Sequence, residues 1–290
     1  MRILVTGGSG FLGSHVADAL SDAGHDVTIF DKVKSQYIRP DQKMVIGDIL
    51  EPKIIQNCVK NNDAIYHFAA IADIDKAIKS PISAIHVNVI GTLNTLEAAK
   101  KFNVQRFVFA SSIYVYSNQG SFYRTSKQTS ERLIEDYNEM YNLQFTILRF
   151  GSLYGPRADD NNSVHLMIKN AMEKGEVRYN GTGEELREYI HVKDGALAAV
   201  EVLGDEFENE IIHLTGYEKM TTRKMMSMIS EILGGNIKIK INAGKMVGHY
   251  IQTPYSYTPK LGRKLIRNSY IDIGLGLLDL IEHQGKSDTR

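Results

Sequence analysis

Ser112, Tyr123 and Lys127 are residue types that together can move a proton on and off a hydroxyl. In Tyr123-Arg124-Thr125-Ser126-Lys127, at a predicted helix start, the i,i+4 spacing puts the ammonium one turn behind the phenol on the same face. A free tyrosine titrates at about pH 10 and is a poor base at neutral pH, but a nearby cation favours the phenolate. Lowering the phenol by about 3 pH units takes about 4 kcal/mol of differential stabilisation, within reach of close charges in a dry cleft. Ser112, at the carboxyl end of a predicted strand, is placed to hydrogen-bond the same substrate oxygen. A Tyr-x-x-x-Lys pair standing alone is more often a solvated helix face, so the assignment depends on what surrounds it. Tyr114 and Tyr116 lie nearby without a lysine four residues on, and read as packing or substrate-lining residues.

That surrounding is supplied by the first 31 residues. Arg2 to Thr6 reads as a buried strand that runs into Gly7-Gly8-Ser9-Gly10-Phe11-Leu12-Gly13 and then an amphipathic helix with Val16, Ala17, Ala19 and Leu20 inward. Gly24 stops the helix, and His25 to Phe30 forms a second strand that delivers Asp31. Glycines let the backbone turn tightly and approach a pyrophosphate, which then sits on the free N–H groups of the helix start. An acid after the second strand takes the ribose hydroxyls. Strand, glycine turn, helix and acid together predict a dinucleotide site. Asp31 favours NAD over NADP, because it would repel a 2′-phosphate; Lys32 and Lys34 pull the other way. With that cofactor in place, the Ser-Tyr-Lys group would remove a hydroxyl proton while hydride leaves the same carbon.

The chain of 290 residues can bury a large core. Lys+Arg and Asp+Glu balance at 34 each, so no field points to nucleic acid or an anionic membrane. The single Cys58 excludes internal disulfides and suits a reducing cytoplasm. Met1 leads straight into a core strand, which leaves no signal peptide, and no apolar run approaches the ~18 residues of a membrane span. No His-Glu-x-x-His spacing or zinc framework is present, so the sequence predicts a soluble, metal-free cytoplasmic protein.

Strand and helix patterns alternate along the chain, which predicts an α/β fold with a doubly wound parallel sheet of Rossmann type. Strands are expected at Met44–Ile46, Ala64–Ala70, Arg106–Ala110 and Phe145–Arg149, and helices at Pro52–Lys60, 81–101 and 123–141. After Gly155-Pro156 the pattern loosens into helices near 164–173, 194–203 and 222–233, interleaved with short strands at 177–179, 188–192, 211–214 and 237–241. The expected division is a dinucleotide-binding domain over 1–155, with segments near 186–215 returning to it, and a smaller α/β substrate lobe made mainly of 156–290. Residues 284–290 are polar and expected to fray.

The ordered motifs resemble those of the extended short-chain dehydrogenase/reductases that act as nucleotide-sugar epimerases and dehydratases. They are Gly7-x-x-Gly10-x-x-Gly13, Asp31, Asp48-Ile49, His67-Phe68-Ala69-Ala70, Asn88 with Gly91-Thr92, and Ser111-Ser112-x-x-Val115-Tyr116. They continue with Tyr123-x-x-x-Lys127, Arg149 to Arg157, and Arg187-Glu188-Tyr189-Ile190-His191-Val192-x-Asp194. The resemblance implies that Asp48 and Ile49 hold the adenine and that Ala69 and Ala70 pass along the NAD. It implies that Asn88 supports the site, that Lys127 also holds the nicotinamide ribose, and that Arg187 reaches the substrate diphosphate. It further implies a homodimer through the helices at 81–101 and 123–141. His67 and His191, within apolar strands, read as core or cofactor-shaping residues; His165 is open between substrate contact and structure. The Met225-Met226-x-Met228 cluster reads as core.

The departures bear on the reaction. Dehydratases of this family carry Asp-Glu directly after the Ser/Thr, where this chain has Ile113-Tyr114, and related decarboxylases tend to carry an acid there. The stretch from Ser112 to Tyr123 is short, Ser152 stands where an asparagine commonly contacts the diphosphate, and no arginine occurs between Val247 and Tyr255. The sequence therefore points to an NAD-dependent epimerase of a nucleoside-diphosphate sugar, at C4 through a transient 4-keto sugar. The alternatives are a nucleotide-sugar dehydrogenase or keto-sugar reductase, and a noncatalytic dinucleotide-binding protein.

Overall fold

The computed structural model describes residues 1–216, 219–242 and 248–251. Its centre is a seven-stranded parallel sheet in the order β10-β6-β5-β4-β1-β2-β3. The strands are β1 (Arg2–Thr6), β2 (Asp26–Asp31), β3 (Lys43–Ile46), β4 (Ala64–His67), β5 (Arg106–Ser112), β6 (Phe145–Phe150) and β10 (Glu210–Leu214). Both faces are covered, so the inner strands are apolar runs rather than alternating ones: every residue of β4 and β5 is buried. One face packs Leu4, Ile65, Phe107, Phe109 and Ile147 under α2 (Pro52–Val59), α5 (Gly91–Lys101) and α6 (Ser121–Tyr141). The other packs Ile3, Val5, Tyr66, Val108 and Leu148 under α1 (Phe11–Asp22) and α8 (Val192–Glu201). Each such buried aliphatic side chain contributes about 1.5–3 kcal/mol. The Tyr66 hydroxyl donates to the Ala199 carbonyl at 2.6 Å and ties α8 to the sheet.

Strand order reverses between β1 and β4, and a crevice opens there at the carboxyl edge, where open α/β sheets bind ligands. Two expectations about this edge change. The strand expected to reach Ala70 ends at His67, because Gly7 crosses it closely: a Cβ on Gly7 would sit 2.6 Å from the Ala69 nitrogen, at a backbone φ of +72°. The continuous helix expected over 81–101 is interrupted. A short α4 (Pro81–Ile85) passes into a wider π turn over His86–Ile90 before α5 resumes. That turn carries Asn88 inward, 2 % exposed, so the irregularity serves a buried polar contact.

Beyond Phe150 the chain builds two small sheets. β7 (Ser152–Tyr154), a strand the sequence does not announce, pairs in parallel with β9 (Leu186–His191), and β11 (Lys219–Thr221) adds antiparallel to β9. β8 (Glu176–Asn180) pairs with β12 (Lys238–Asn242) under α7 (Ser163–Lys174) and α9 (Thr222–Ile232), around Met167, Val177 and Met226. Asn162 caps α7 by accepting from Val164 and His165, and Thr221 caps α9 by accepting from Lys224. The polar tail at 284–290 and most of the arginine-free stretch lie outside the described residues. Among the described residues, no helix is long and apolar enough to cross a membrane, and no group of His, Cys, Asp or Glu is gathered as a metal site.

Candidate active site

A cavity of about 510 Å³ follows the crevice. Its wall includes Gly7, Gly10, Phe11, Leu12 and Gly13 of the glycine turn, Asp31, Asp48 and Ile49, Ala69 and Ala70 after β4, and Tyr123 of α6. The glycine turn is compact: a Cβ on Gly13 would lie 2.2 Å from the Gly7 oxygen, so α1 comes close to β1 only without one. No side chain caps α1, which leaves its first N–H groups for an anionic ligand. Asp31 is pre-oriented, one oxygen accepting from the Ser9 N–H at 3.0 Å and the other from Val33 at 3.2 Å. Lys32, which the sequence offers as a partner for a phosphate on the ribose, is engaged with Asp48 at 2.9 Å. Burial works against the Asp48 carboxylate, but the Leu50 N–H and Lys32 hold its pKa below the ordinary value.

Tyr123 lies on the first turn of α6 and is 8 % exposed; Lys127 is one turn on and 4 % exposed. The Lys127 ammonium donates to the Ala110 carbonyl at 2.7 Å and lies 5.9 Å from the Tyr123 ring centre. Burial pushes the phenol up to about 12, with only the Ser112 hydroxyl bonded to it pulling the other way. Burial brings Lys127 down to about 8 against the pull of Glu131. The expected depression of the phenol by Lys127 is therefore not produced by the chain alone, because the ammonium is turned to a backbone carbonyl.

The remaining site candidates take different places. Ser112 sits at the end of β5, and its oxygen also accepts from the Tyr114 N–H at 3.3 Å. Asn88 is behind the wall: it bonds both ways with Ile71, at 2.7 and 3.0 Å, and donates to Ser126 at 2.9 Å, bracing Ile71 against α6. Ser152 is partly exposed on β7, while its neighbours Gly151 and Leu153 line the cavity. Arg187 is 8 % exposed, its guanidinium 4.2 Å from the centre of the Tyr250 ring. His67 is buried between the Thr6 and Thr92 hydroxyls at 2.9 and 3.0 Å, and burial lowers it to about 3, so it stays neutral. His191 caps α8, and His165 is within 3.5 Å of Asp160. Met226 is fully buried, whereas Met228 is exposed.

Sequence reasoning passed over a network that runs from the buried Ser111 and Glu131 out to the exposed His213. Ser111 donates to Glu131 at 2.5 Å; Glu131 holds Arg149 through both oxygens, at 3.0 and 2.6 Å; Arg149 donates to Tyr116, which meets His213 at 2.7 Å. Glu131 continues the Tyr123–Lys127 stripe by one more turn, a spacing that could have singled it out.

The profile of the NAD dependent epimerase/dehydratase family matches residues 3–214. The chain belongs to that family. A UDP-glucose 4-epimerase from Thermotoga maritima, solved with UDP-glucose, superimposes with a TM-score of 0.81 at 26 % identity over 89 % of this chain and 90 % of that one. A dTDP-glucose 4,6-dehydratase from Streptomyces venezuelae, solved with NAD bound, gives 0.80 at 27 % identity, covering 90 % and 93 %. A UDP-N-acetyl-alpha-D-glucosaminuronate decarboxylase of Bacillus cytotoxicus is 28 % identical, covering 82 % of each chain. This epimerase/dehydratase family member is thus an NAD-dependent enzyme with a Rossmann-type sheet, and the three relatives named are an epimerase, a dehydratase and a decarboxylase of nucleotide sugars.

Proposed function

We propose that the enzyme epimerises a nucleoside-diphosphate hexose at C4. The reading is carried by Tyr123 in the wall of the dinucleotide cavity, bonded to Ser112 and backed by Lys127. The chemistry supplied by bound NAD is reversible hydride exchange with C4. The chain's part is proton handling. Tyr123 takes the proton of the C4 hydroxyl, Ser112 hydrogen-bonds the same oxygen, and the Lys127 charge favours the phenolate once substrate and cofactor exclude water. After the keto sugar turns over, Tyr123 returns the proton. Asp31 and the Lys32–Asp48 pair favour NAD over NADP.

Epimerisation is favoured over dehydration by the residue after Ser112. Ile113 is apolar and 1 % exposed, so the acid of an acid/base pair for water elimination is missing there. Arg187 is the candidate diphosphate ligand, with Ser152 on the adjoining strand. The family likeness also supports a homodimer. Ile82, Ile90 and Phe122 leave a shallow apolar hollow of about 500 Å³ on the α4–α6 side, Ile82 being 85 % exposed. Leu96 and Ala99, on the same 81–101 segment, are fully buried in the monomer core and take no part in that surface.

The test is turnover of UDP- and dTDP-hexoses with NAD-loaded enzyme, following C4 stereochemistry and reduced-nicotinamide absorbance. The 4-epimer should form without net absorbance change. Stoichiometric NADH, or a dehydrated product, would overturn the reading.

A further inference from the structure

Hydride exchange at C4 needs one phenol, yet a second one stands against it. Tyr114 lies two residues after Ser112, in the short 3-10 turn over Ile113–Tyr116, and meets Tyr123 edge to face with ring centres 6.3 Å apart. Its hydroxyl is 3.1 Å from His249 Nδ1, and His249 Nε2 faces Asp75 on α3 (Ile74–Lys79) at 4.0 Å. The three groups lead from the reaction site to water, since the Asp75 side chain is 70 % exposed and that of His249 22 %. His249 is held from two sides: the Gly120 N–H donates to the Gly248 oxygen and the Leu186 N–H to the Ile251 oxygen, both at 2.7 Å. Tyr250 packs its ring 4.6 Å from that of Tyr114 and carries Arg187 on its own face. Burial lowers the His249 pKa, with Asp75 opposing and Arg187 adding to the effect, and burial raises that of Tyr114, so imidazole and phenol both rest neutral.

We propose that Tyr114, backed by His249 and Asp75, is a second proton-transfer group that acts on a carbon next to the ketone formed at C4. The inference rests on the C4 chemistry proposed above, which creates that ketone. A C–H bond adjacent to a carbonyl is acidic enough to be exchanged by a base held in place. In the step, the C–H bond breaks and its proton goes to the Tyr114 oxygen while the phenol proton passes to His249 Nδ1. The C–H electron pair becomes the carbon–carbon double bond of an enolate, and the carbonyl pair moves onto oxygen, which Ser112 and the protonated Tyr123 hydrogen-bond. The imidazolium, beside Asp75, trades its proton with water. Return of a proton from Tyr114 restores the ketone, with nothing oxidised, reduced or hydrolysed. Because the proton leaves and returns through one phenol, on one face of the sugar, the relay suits exchange at that carbon with its configuration retained.

The experiment is turnover of UDP-glucose and dTDP-glucose by NAD-loaded enzyme in D₂O, reading the sugar by NMR. Wild type should place deuterium at the carbon next to C4. Tyr114→Phe, which keeps the ring, and His249→Gln should each lower the ratio of deuterium gained to C4 inversions by about 10²-fold. A C4 epimer free of deuterium overturns the inference and leaves the C4 reading standing. Deuterium gained at an unchanged ratio in both variants assigns the exchange elsewhere and also overturns it. If neither inversion nor exchange occurs with either sugar, both readings fall together.

Discussion

At the scale of single residues, burial opposes the charged forms of both Tyr123 and Lys127, pushing the phenol up to about 12 and the ammonium down to about 8. Under the proposed mechanism, substrate and cofactor would have to supply the balance that favours the phenolate. Tyr123→Phe keeps the ring in its packing with Ile74 and Ala84 and deletes only the oxygen. C4 turnover should fall by about 10²–10⁴-fold while the NAD dissociation constant, read by equilibrium dialysis, stays near wild type. His67 offers a stability test. Its folded pKa of about 3 lies below the ordinary 6.5, so its stabilisation is complete above pH 6.5 and is lost as pH falls from there toward 3. The loss from this one group approaches about 1.4 kcal/mol per pH unit. Urea midpoints should decline less steeply between pH 6 and 4.5 in His67→Gln than in wild type; equal slopes would count against a buried neutral imidazole.

Elements explain what could be read from the sequence and what could not. The glycine turn, its helix and Asp31 lie within one strand–helix–strand unit, and Tyr123 and Lys127 within one helical turn, so local spacing discloses both. Glu131 is in step with that helical stripe, but its partner Arg149 lies on β6; Asn88 joins a π turn to Ile71, and His249 reaches Tyr114 across 135 positions. Contacts of that range leave no periodicity behind. The π turn is illegible for the same reason, being imposed by the partners of Asn88 rather than by residue propensity. At the β1–α1 turn, Gly13→Ala must displace backbone, since its Cβ meets the Gly7 oxygen at 2.2 Å. Overpacking of this kind costs about 1–3 kcal/mol, and the turn it distorts is the one proposed to face the pyrophosphate. The variant should melt lower and bind NAD at least tenfold more weakly by calorimetry; unaltered binding would remove the turn from the cofactor site.

At the scale of the whole molecule, the exposed Ile82 and Phe122 lie on the side where the proposed dimer would form. Phe122→Glu should shift sedimentation from dimer to monomer at micromolar concentration; a wild-type monomer would dismiss the interface. The sheet itself is completed late. β10, from residues 210–214, pairs with β6, from 145–150, after the chain has built strands of both smaller sheets. A nascent chain that has emerged only as far as residue 155 therefore holds the glycine turn, Asp31 and Tyr123, yet presents β6 as an unpaired edge with Ile147 and Leu148 in its ladder. Such an edge is a template for a neighbouring chain. Expressed as a fragment, residues 1–155 should form assemblies larger than a dimer on size exclusion, where the full chain does not. During synthesis, the interval before β10 emerges is therefore the one in which aggregation should be most favoured.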